Sequence, residues 1–438
     1  MAKPTIFIPG FPASELRDKN TNETLFPPPS LGQAEAMLKR LVDHPDDAVA
    51  GPPILDKIKH FAPAASTLYG ILKKHGISEQ AGNFIPIGWD WRFSVGDART
   101  IARIKEAVDT LPANGKIVAI LHSTGGLVFR AFLQAHPEYL QKFEQVLAFA
   151  IPWRGALEAL HAVSKGVPIA LGFGGINFKT FVTAEQSRDL LTRAQAAYDI
   201  FPTDKTMKLF ISNGAPSTPL DDRTWIDRPY MNQFCDNAVP PFPSFDGIPV
   251  TSVCGWGGDT WPRCDNANGQ LTFLDPINEA GDGTVTFASA ASLDGDQVRK
   301  MFLPIGAFVD DAFPDVHGQI WAPKIAGQFF DEIFDNAPRK PFVAAAVDKD
   351  EGIDPEAKKV TVRVAANAVD GSPLPNAKLS FRVGGHIMTH SFEGGKRITL
   401  ELKRGNFEQQ PAPTIHRTEL TVSWDGAPPR KLPVSIKS

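Results

Sequence analysis

The stretch that most constrains the fold is KIVAILHSTGGLVFRAFLQ, residues 116–134. Five of the six residues from Ile117 to His122 are apolar, which indicates a strand buried on both faces of a parallel sheet. Apolar residues then recur at helical spacing from Leu127 to Phe132. The chain must therefore turn sharply from a strand into a helix at Ser123, and this is the geometry of a nucleophile elbow.

In such an elbow the serine hydroxyl lies at a helix N-terminus, where the helix dipole and free backbone N–H groups favour an oxyanion. Small residues are usual two places on either side of the serine, because the strand and helix backbones nearly touch. Gly125 meets this requirement, whereas Leu121 stands where glycine is usual. The motif alone therefore leaves open a second interpretation, in which Ser123 is an ordinary serine between a strand and a helix.

Strands and helices alternate around the elbow, which predicts a doubly wound, mostly parallel α/β sheet. Short apolar segments predict strands at residues 5–8, 83–87, 117–122, 145–151, 248–254 and 301–305. Amphipathic segments predict helices at residues 66–75, 101–111 and 319–334. The regular pattern lapses at about 156–247, in a position where lids and substrate pockets are commonly inserted. We expect one α/β domain over residues 1–335 that carries a cap at about 156–247.

The C-terminal part of the chain has a different pattern. Residues 336–345 are predicted to form a linker, because they begin with the polar, proline-containing run NAPRKP. Beyond it the apolar period becomes two, in the segments VTVRV, KLSFRV, ITLELK, ELTVSW and LPVSI. Short alternating strands separated by turns predict a small immunoglobulin-like β-sandwich over residues 346–438.

Composition excludes several functions. The net charge is −4 and the basic residues are dispersed, so no nucleic-acid partner is expected. No signal peptide or membrane span is recognised, because residues 1–4 lead directly into a predicted core strand, and we expect a cytoplasmic protein. The three cysteines lack metal-ligand spacing, and neither a metal nor a cofactor is predicted. Cys254 and Cys264 could form a disulfide in an oxidising compartment, whereas free thiols are expected in the cytosol.

A serine nucleophile needs a histidine base and a carboxylate, which follow in the order Ser, Asp or Glu, His in α/β-hydrolase topology. Of the six histidines after Ser123, three lie in the predicted β-sandwich, His161 lies at the start of the cap and His136 follows the elbow segment. This elimination leaves His317 as the base. Asp259 and Asp282 both lie in glycine-rich turns, and the pattern alone leaves the choice between them open.

Short motifs along residues 4–335 give the chain a resemblance to the family of lecithin:cholesterol acyltransferase and lysosomal phospholipase A2. These are α/β-hydrolases that act on acyl esters. The motifs follow the order of the family and are IPGF with SEL (8–11 and 14–16), WDWR (89–92), the elbow, PW (152–153), AYDIFP (197–202), GDGTV (281–285) and HG (317–318).

By this resemblance the catalytic triad is Ser123, Asp282 and His317, and the oxyanion is bound by the backbone N–H groups of Phe11 and Thr124. The chain departs from the family at Leu121, at Pro12-Ala13 and at Arg154, where the family has small residues or glycine. The resemblance implies a serine ester hydrolase or O-acyltransferase that forms an acyl-enzyme on Ser123.

Aromatic residues near the expected mouth of the site favour a lipid or fatty-acyl substrate, and Trp89, Trp91 and Trp153 are predicted to contact it. The apolar cap would then touch a membrane surface transiently. One alternative is a short-chain esterase or lactonase without lipid preference. Another is an inactive hydrolase fold that serves as a binding protein, in which the β-sandwich would hold a carbohydrate or protein partner.

Overall fold

The structure is a computed structural model. It describes residues 2–28, 31–53, 64–112, 115–171, 179–239, 245, 247–256, 258–304, 317–321, 327–338, 342–347, 359–367, 377–383, 386–392, 396–401, 415–424 and 427–437.

The elements follow in four groups along the chain. Up to the elbow helix they are β1 (Thr5–Ile8), β2 (Ser14–Asp18), β3 (Thr24–Phe26), α1 (Leu31–Asp43), β4 (Ala48–Pro53), α2 (Ala64–Lys74), β5 (Phe84–Pro86), α3 (Ala98–Thr110), β6 (Ile117–His122) and α4 (Gly125–Ala135). Through the cap they are β7 (Phe143–Phe149), α5 (Leu157–Lys165), β8 (Ile169–Leu171), β9 (Lys179–Val182), α6 (Ala184–Leu191), α7 (Gln195–Asp199), β10 (Phe210–Ser212), β11 (Ala215–Ser217) and α8 (Met231–Asp236). The third group is β12 (Val250–Trp256), β13 (Gly258–Thr260), β14 (Cys264–Ala267), β15 (Gln270–Phe273), β16 (Ile277–Gly281), α9 (Phe287–Ala290), β17 (Val298–Pro304) and α10 (Gly327–Phe334). The C-terminal group is β18 (Phe342–Val347), β19 (Lys359–Asn367), β20 (Ala377–Val383), β21 (His386–Phe392), β22 (Lys396–Glu401), β23 (Ile415–Trp424) and β24 (Ala427–Lys437).

A six-stranded, fully parallel sheet forms the core, in the order β17-β12-β7-β6-β1-β5. All six residues of β6 are buried, as expected for an apolar strand covered on both faces. Helices α3 and α4 contact each other, and so do α2 and α10. The predicted parallel α/β sheet is therefore confirmed, and with a sharp turn after its central strand it has α/β-hydrolase architecture.

Two predicted segments differ in detail. Of the helix predicted over 319–334, the structure describes α10 (Gly327–Phe334), preceded by a 3₁₀ turn at His317–Gln319, and residues 322–326 lie outside the described residues. In the predicted linker, β18 already begins at Phe342. This is because the segment FVAAAV pairs antiparallel with β19 despite its lack of strict alternation.

The C-terminal strands form two antiparallel sheets, in the orders β18-β19-β22 and β21-β20-β23-β24. Among the described residues no helix is both long and apolar enough to cross a membrane. Cys235, Cys254 and Cys264 are free, buried thiols, so the alternative of a Cys254–Cys264 disulfide is not realised. Burial raises the pKa of Cys254 and Cys264 to about 12, which makes both of them weak nucleophiles at neutral pH.

Candidate active site

Ser123 lies in the turn between β6 and α4, at the carboxyl end of the central sheet. Its φ of 51° is in the left-handed region, which non-glycine residues adopt only rarely. A backbone hydrogen bond fixes the turn to the neighbouring strand β7, because the Ser123 N–H donates to the Phe149 carbonyl (2.9 Å). The side chain is nearly closed off from solvent, with 5% of the residue exposed.

Two glycines allow the elbow to pack. A Cβ on Gly125 would lie 2.3 Å from the Ile8 carbonyl oxygen, so only glycine fits where α4 passes the end of β1. A Cβ on Gly10 would lie 2.6 Å from the Ser123 Cβ. Leu121, by contrast, is fully buried within the sheet. The backbone contact that excludes a side chain thus falls on Gly10 rather than on position 121.

Asp282 and His317 form a buried pair. The His317 Nδ1 lies 2.8 Å from the Asp282 Oδ2, and the two residues are 1% and 0% exposed. The other carboxylate oxygen, Oδ1, accepts from the N–H groups of Thr284 (3.1 Å) and Val285 (2.8 Å). With a carboxylate at Nδ1, that nitrogen carries the proton, and Nε2 is the nitrogen able to accept one.

The turn that holds Asp282 depends on its glycines and on Thr260. The Thr260 Oγ1 accepts from the Gly283 N–H at 2.8 Å. A Cβ on Gly258 would lie 2.5 Å from the carbonyl carbon of Asp282, so β13 passes closely under this turn. Asp259, the other aspartate left open by the sequence, is exposed on β13. The structure therefore brings Asp282, and not Asp259, to His317.

His122 is a residue of this site that sequence reasoning missed. Its Nε2 donates to the His317 carbonyl at 3.1 Å, and the two ring centroids are 4.9 Å apart. Burial, and secondarily the neighbouring His317, lowers the pKa of His122 well below its usual value. His122 consequently stays neutral at physiological pH and adds no positive charge beside the proposed base. Its position directly before Ser123 was the only signal available in the sequence.

The two predicted oxyanion donors follow the carboxyl ends of two neighbouring strands, Phe11 after β1 and Thr124 after β6. Phe11 is partly buried after β1, and Thr124 is 1% exposed at the start of α4. Within the described part of the chain, neither backbone N–H donates a hydrogen bond. Both groups are thus available to a ligand, as an oxyanion hole requires.

The three tryptophans predicted to contact substrate are packed in the protein interior. Trp89, Trp91 and Trp153 are 1%, 0% and 0% exposed. Their indole N–H groups donate to the Pro9 carbonyl (2.9 Å), the Ser14 carbonyl (3.2 Å) and the Ser252 Oγ (3.5 Å), respectively. Aromatic residues at a sheet edge serve in packing as readily as in ligand binding, so a sequence pattern does not separate the two roles. In this structure all three indoles are packed in the interior, where they support the loops around the site.

One group of side chains among the described residues has the composition of a metal site, namely His75 with Asp331 and Asp335. The His75 Nδ1 lies 3.0 Å from an Asp335 oxygen and the Nε2 lies 3.6 Å from an Asp331 oxygen. A different ring nitrogen of His75 therefore faces each of the two carboxylates. A metal would need the three ligand atoms around one point.

A family model for lecithin:cholesterol acyltransferase matches residues 59–235. No curated protein sequence matches the chain. Among solved structures, the Tle4-Tli4 complex aligns at 13% identity over 74% of this chain and 96% of that one, with a TM-score of 0.43.

Two further structures align at a similar level. Phospholipase PlaB from Legionella pneumophila aligns at 10% identity, covers 90% of each chain and has a TM-score of 0.34. Lipase BlEst2 from Bacillus licheniformis aligns at 13% identity, covers 74% of this chain and 91% of that one, and has a TM-score of 0.30. At TM-scores below 0.5 these likenesses carry no argument about this chain. The family match, however, confirms the resemblance to the lecithin:cholesterol acyltransferase family over residues 59–235, which include the Ser123 elbow.

Proposed function

We propose that this chain is a serine-dependent acyl ester hydrolase that acts on lipid or fatty-acyl esters. The observation that carries the proposal is the buried Asp282–His317 pair, with 2.8 Å between carboxylate oxygen and Nδ1. This pair and the left-handed Ser123 elbow are the parts that acyl transfer by a serine requires.

In the proposed mechanism the Ser123 Oγ attacks the ester carbonyl carbon while His317 Nε2 takes the hydroxyl proton. The carbonyl oxygen becomes an oxyanion, to which the N–H groups of Phe11 and Thr124 donate. A single donor of this kind is commonly worth about 100- to 1,000-fold in kcat. The C–O bond to the leaving alcohol then breaks, and the imidazolium returns the proton to that alcohol.

The acyl group is now an ester of Ser123, and a second half-reaction removes it. Water attacks the acyl carbon as His317 again takes a proton, and the collapse of the second oxyanion returns that proton to Ser123. Asp282 stabilises the imidazolium in both halves and holds the Nδ1-protonated tautomer. An alcohol in place of water would make the same machinery an O-acyltransferase, and we propose hydrolysis as the default.

The lipid preference rests on the family match over residues 59–235 and therefore on resemblance. We further propose that the cap at about 156–247 meets the lipid surface. For the C-terminal region, the two antiparallel sheets of three and four strands support an immunoglobulin-like sandwich. The alternative is a short-chain esterase or lactonase, which a series of substrates of increasing chain length distinguishes from a lipid ester hydrolase.

A fluorophosphonate probe tests the nucleophile. We expect one label on the wild-type protein and none on Ser123→Ala, whereas the control Ser164→Ala, which changes a partly buried serine in α5, labels like the wild type. Equal labelling of Ser123→Ala and wild type would overturn the proposal. A series of p-nitrophenyl esters from acetate to palmitate then tests the substrate class. A kcat/KM that falls steadily with chain length would favour the short-chain esterase.

A further inference from the structure

A cavity lies away from the Ser123 elbow, between α1, the loop after β5 and the cap. Its volume is about 370 Å³, which is at the lower end of the range of about 300–1,000 Å³ typical of small-molecule sites. Neither Ser123, Asp282 nor His317 lines it. Its apolar lining comes from four separate segments: Leu41 and Val42 in α1, Phe93 in the loop after β5, Leu190 in α6 and Phe234 in α8.

Most polar side chains in the lining are already bonded to the protein. Arg92 is 4% exposed and donates to Asp90 and to the carbonyls of Leu41 (3.1 Å) and Pro45 (2.8 Å). Asp97 accepts from the Arg99 N–H at 3.1 Å and forms an ion pair with its guanidinium at 3.0 Å. These groups leave no net charge to attract a ligand.

Two further polar side chains are also committed. The Ser94 hydroxyl donates to Asp199 at 2.8 Å. The Gln195 amide donates to the Phe234 carbonyl at 2.8 Å. Neither offers a strong donor to the cavity.

Arg193 is the exception. In the described part of the chain no carboxylate lies within ion-pair distance of its guanidinium, which sits 4.4 Å from the centre of the Tyr230 ring. A cation held over an aromatic face keeps its charge and its orientation while its N–H donors stay available. Arg193 is exposed, so the cavity combines apolar walls with one solvent-accessible guanidinium that has no carboxylate partner among the described residues.

We propose that this cavity binds a single-chain fatty acid, with the carboxylate on Arg193 and the chain between Leu41, Leu190 and Phe234. A carboxylate matches the planar guanidinium donors, and an alkyl chain matches the apolar walls. The volume suits one chain and excludes a two-chain phospholipid. The assignment rests on the cavity itself and stands whether or not Ser123 is a nucleophile.

Calorimetric titration of the full-length Ser123→Ala protein with dodecanoate, below its micellar concentration, tests the proposal. We expect one binding site, and a loss of affinity of about tenfold or more for Ser123→Ala/Arg193→Gln. The matched control is Ser123→Ala/Arg223→Gln, which removes a partly exposed cap arginine paired with Asp236 outside the cavity and should bind normally. Dodecanol, which lacks the charge, should bind at least tenfold more weakly than dodecanoate.

Two results would overturn the proposal. One is equal affinity of the Arg193→Gln protein and its parent, or of the acid and the alcohol. The other is loss of dodecanoate binding once a fluorophosphonate occupies Ser123 in the wild type, since this would place the ligand in the active site. Val42→Trp, which fills the cavity from a partly buried position, provides a second variant and should abolish binding in a protein whose circular dichroism is unchanged.

Discussion

Asp282, in the turn after β16, and Asp199, at the end of α7, are both completely buried carboxylates, yet their surroundings differ in one respect. Asp282 accepts from two backbone N–H groups and faces the ring of His317. Asp199 accepts from the N–H groups of Val95 (2.9 Å) and Val239 (2.8 Å) and from neutral side chains, and none of its partners among the described residues is ionisable. Burial of a carboxylate is therefore no mark of a catalytic site, and a titratable partner is the feature that separates the two.

The two aspartates also differ in what they connect. Asp199 joins the loop after the WDWR motif, the end of α7 and the segment after α8, so it ties the cap to the core. Asp282 is held by its own turn and directs one oxygen to His317. The first arrangement suits a structural role, and the second suits the proton transfer proposed for His317.

The sharpest test of this comparison is Asp282→Asn, which should have the largest effect. Loss of the orienting carboxylate in a triad commonly costs about 10⁴-fold in kcat. We expect a loss of that order on a soluble p-nitrophenyl ester, with the melting temperature changed little. The control Asp259→Asn alters the exposed aspartate and should retain nearly full activity. If the two variants lose activity equally, the assignment of Asp282 is wrong.

Asp199→Asn should show the opposite profile. Both Asp199 oxygens accept hydrogen bonds, whereas an asparagine has only one acceptor oxygen. Its NH₂ group would therefore face N–H or O–H donors and leave buried donors unsatisfied. We expect a loss of about 1–3 kcal/mol in the free energy of unfolding, measured with urea. The kcat of the folded fraction should stay within a few-fold of the wild type. A loss of activity as large as that of Asp282→Asn, without loss of stability, would contradict the distinction.

The sequence predicts the fold well because apolar runs determine which strands are buried. The strands at Thr5–Ile8 and Ile117–His122 agree with their predicted bounds, and the elbow follows from the change of period after His122. His317 is reached by elimination alone. The choice between Asp259 and Asp282 needs the distance to His317, which depends on how β13 and β16 pair and which no local pattern encodes.

Other parts of the site depend on packing between distant segments. The tryptophans were assigned to substrate because apolar character alone does not tell a core position from a pocket wall. The cavity beside Arg193 is formed by four segments, and the lack of a carboxylate partner for Arg193 among the described residues is visible only once the ion pairs of its neighbours are known. His122 acts through a backbone carbonyl that lies 195 residues away in the chain.

The smallest expected effect is on the pH dependence of stability, which should have opposite signs for Asp199 and for His122. Burial raises the pKa of Asp199, so between its unfolded value and its folded value the folded state holds a proton that the unfolded state has lost. The stability due to this group thus falls as the pH rises through that window. Near Asp282, burial lowers the pKa of His122. At a pH between the folded and unfolded pKa values, the unfolded state therefore binds a proton at this residue and the folded state does not. The stability due to His122 is therefore lost as the pH falls below about 6.5.

Urea unfolding at a series of pH values, for wild type, Asp199→Asn and His122→Asn, separates the two contributions as differences from wild type. The stability advantage of wild type over Asp199→Asn should shrink as the pH rises from about 4, because the variant carries no titrating group there. The advantage over His122→Asn should shrink as the pH falls from about 6.5 to 4, for the same reason in the opposite direction. Each difference in unfolding free energy between wild type and a variant reports one titrating group. If the two differences change with pH in the same direction, the opposite pKa shifts assigned to Asp199 and His122 are wrong.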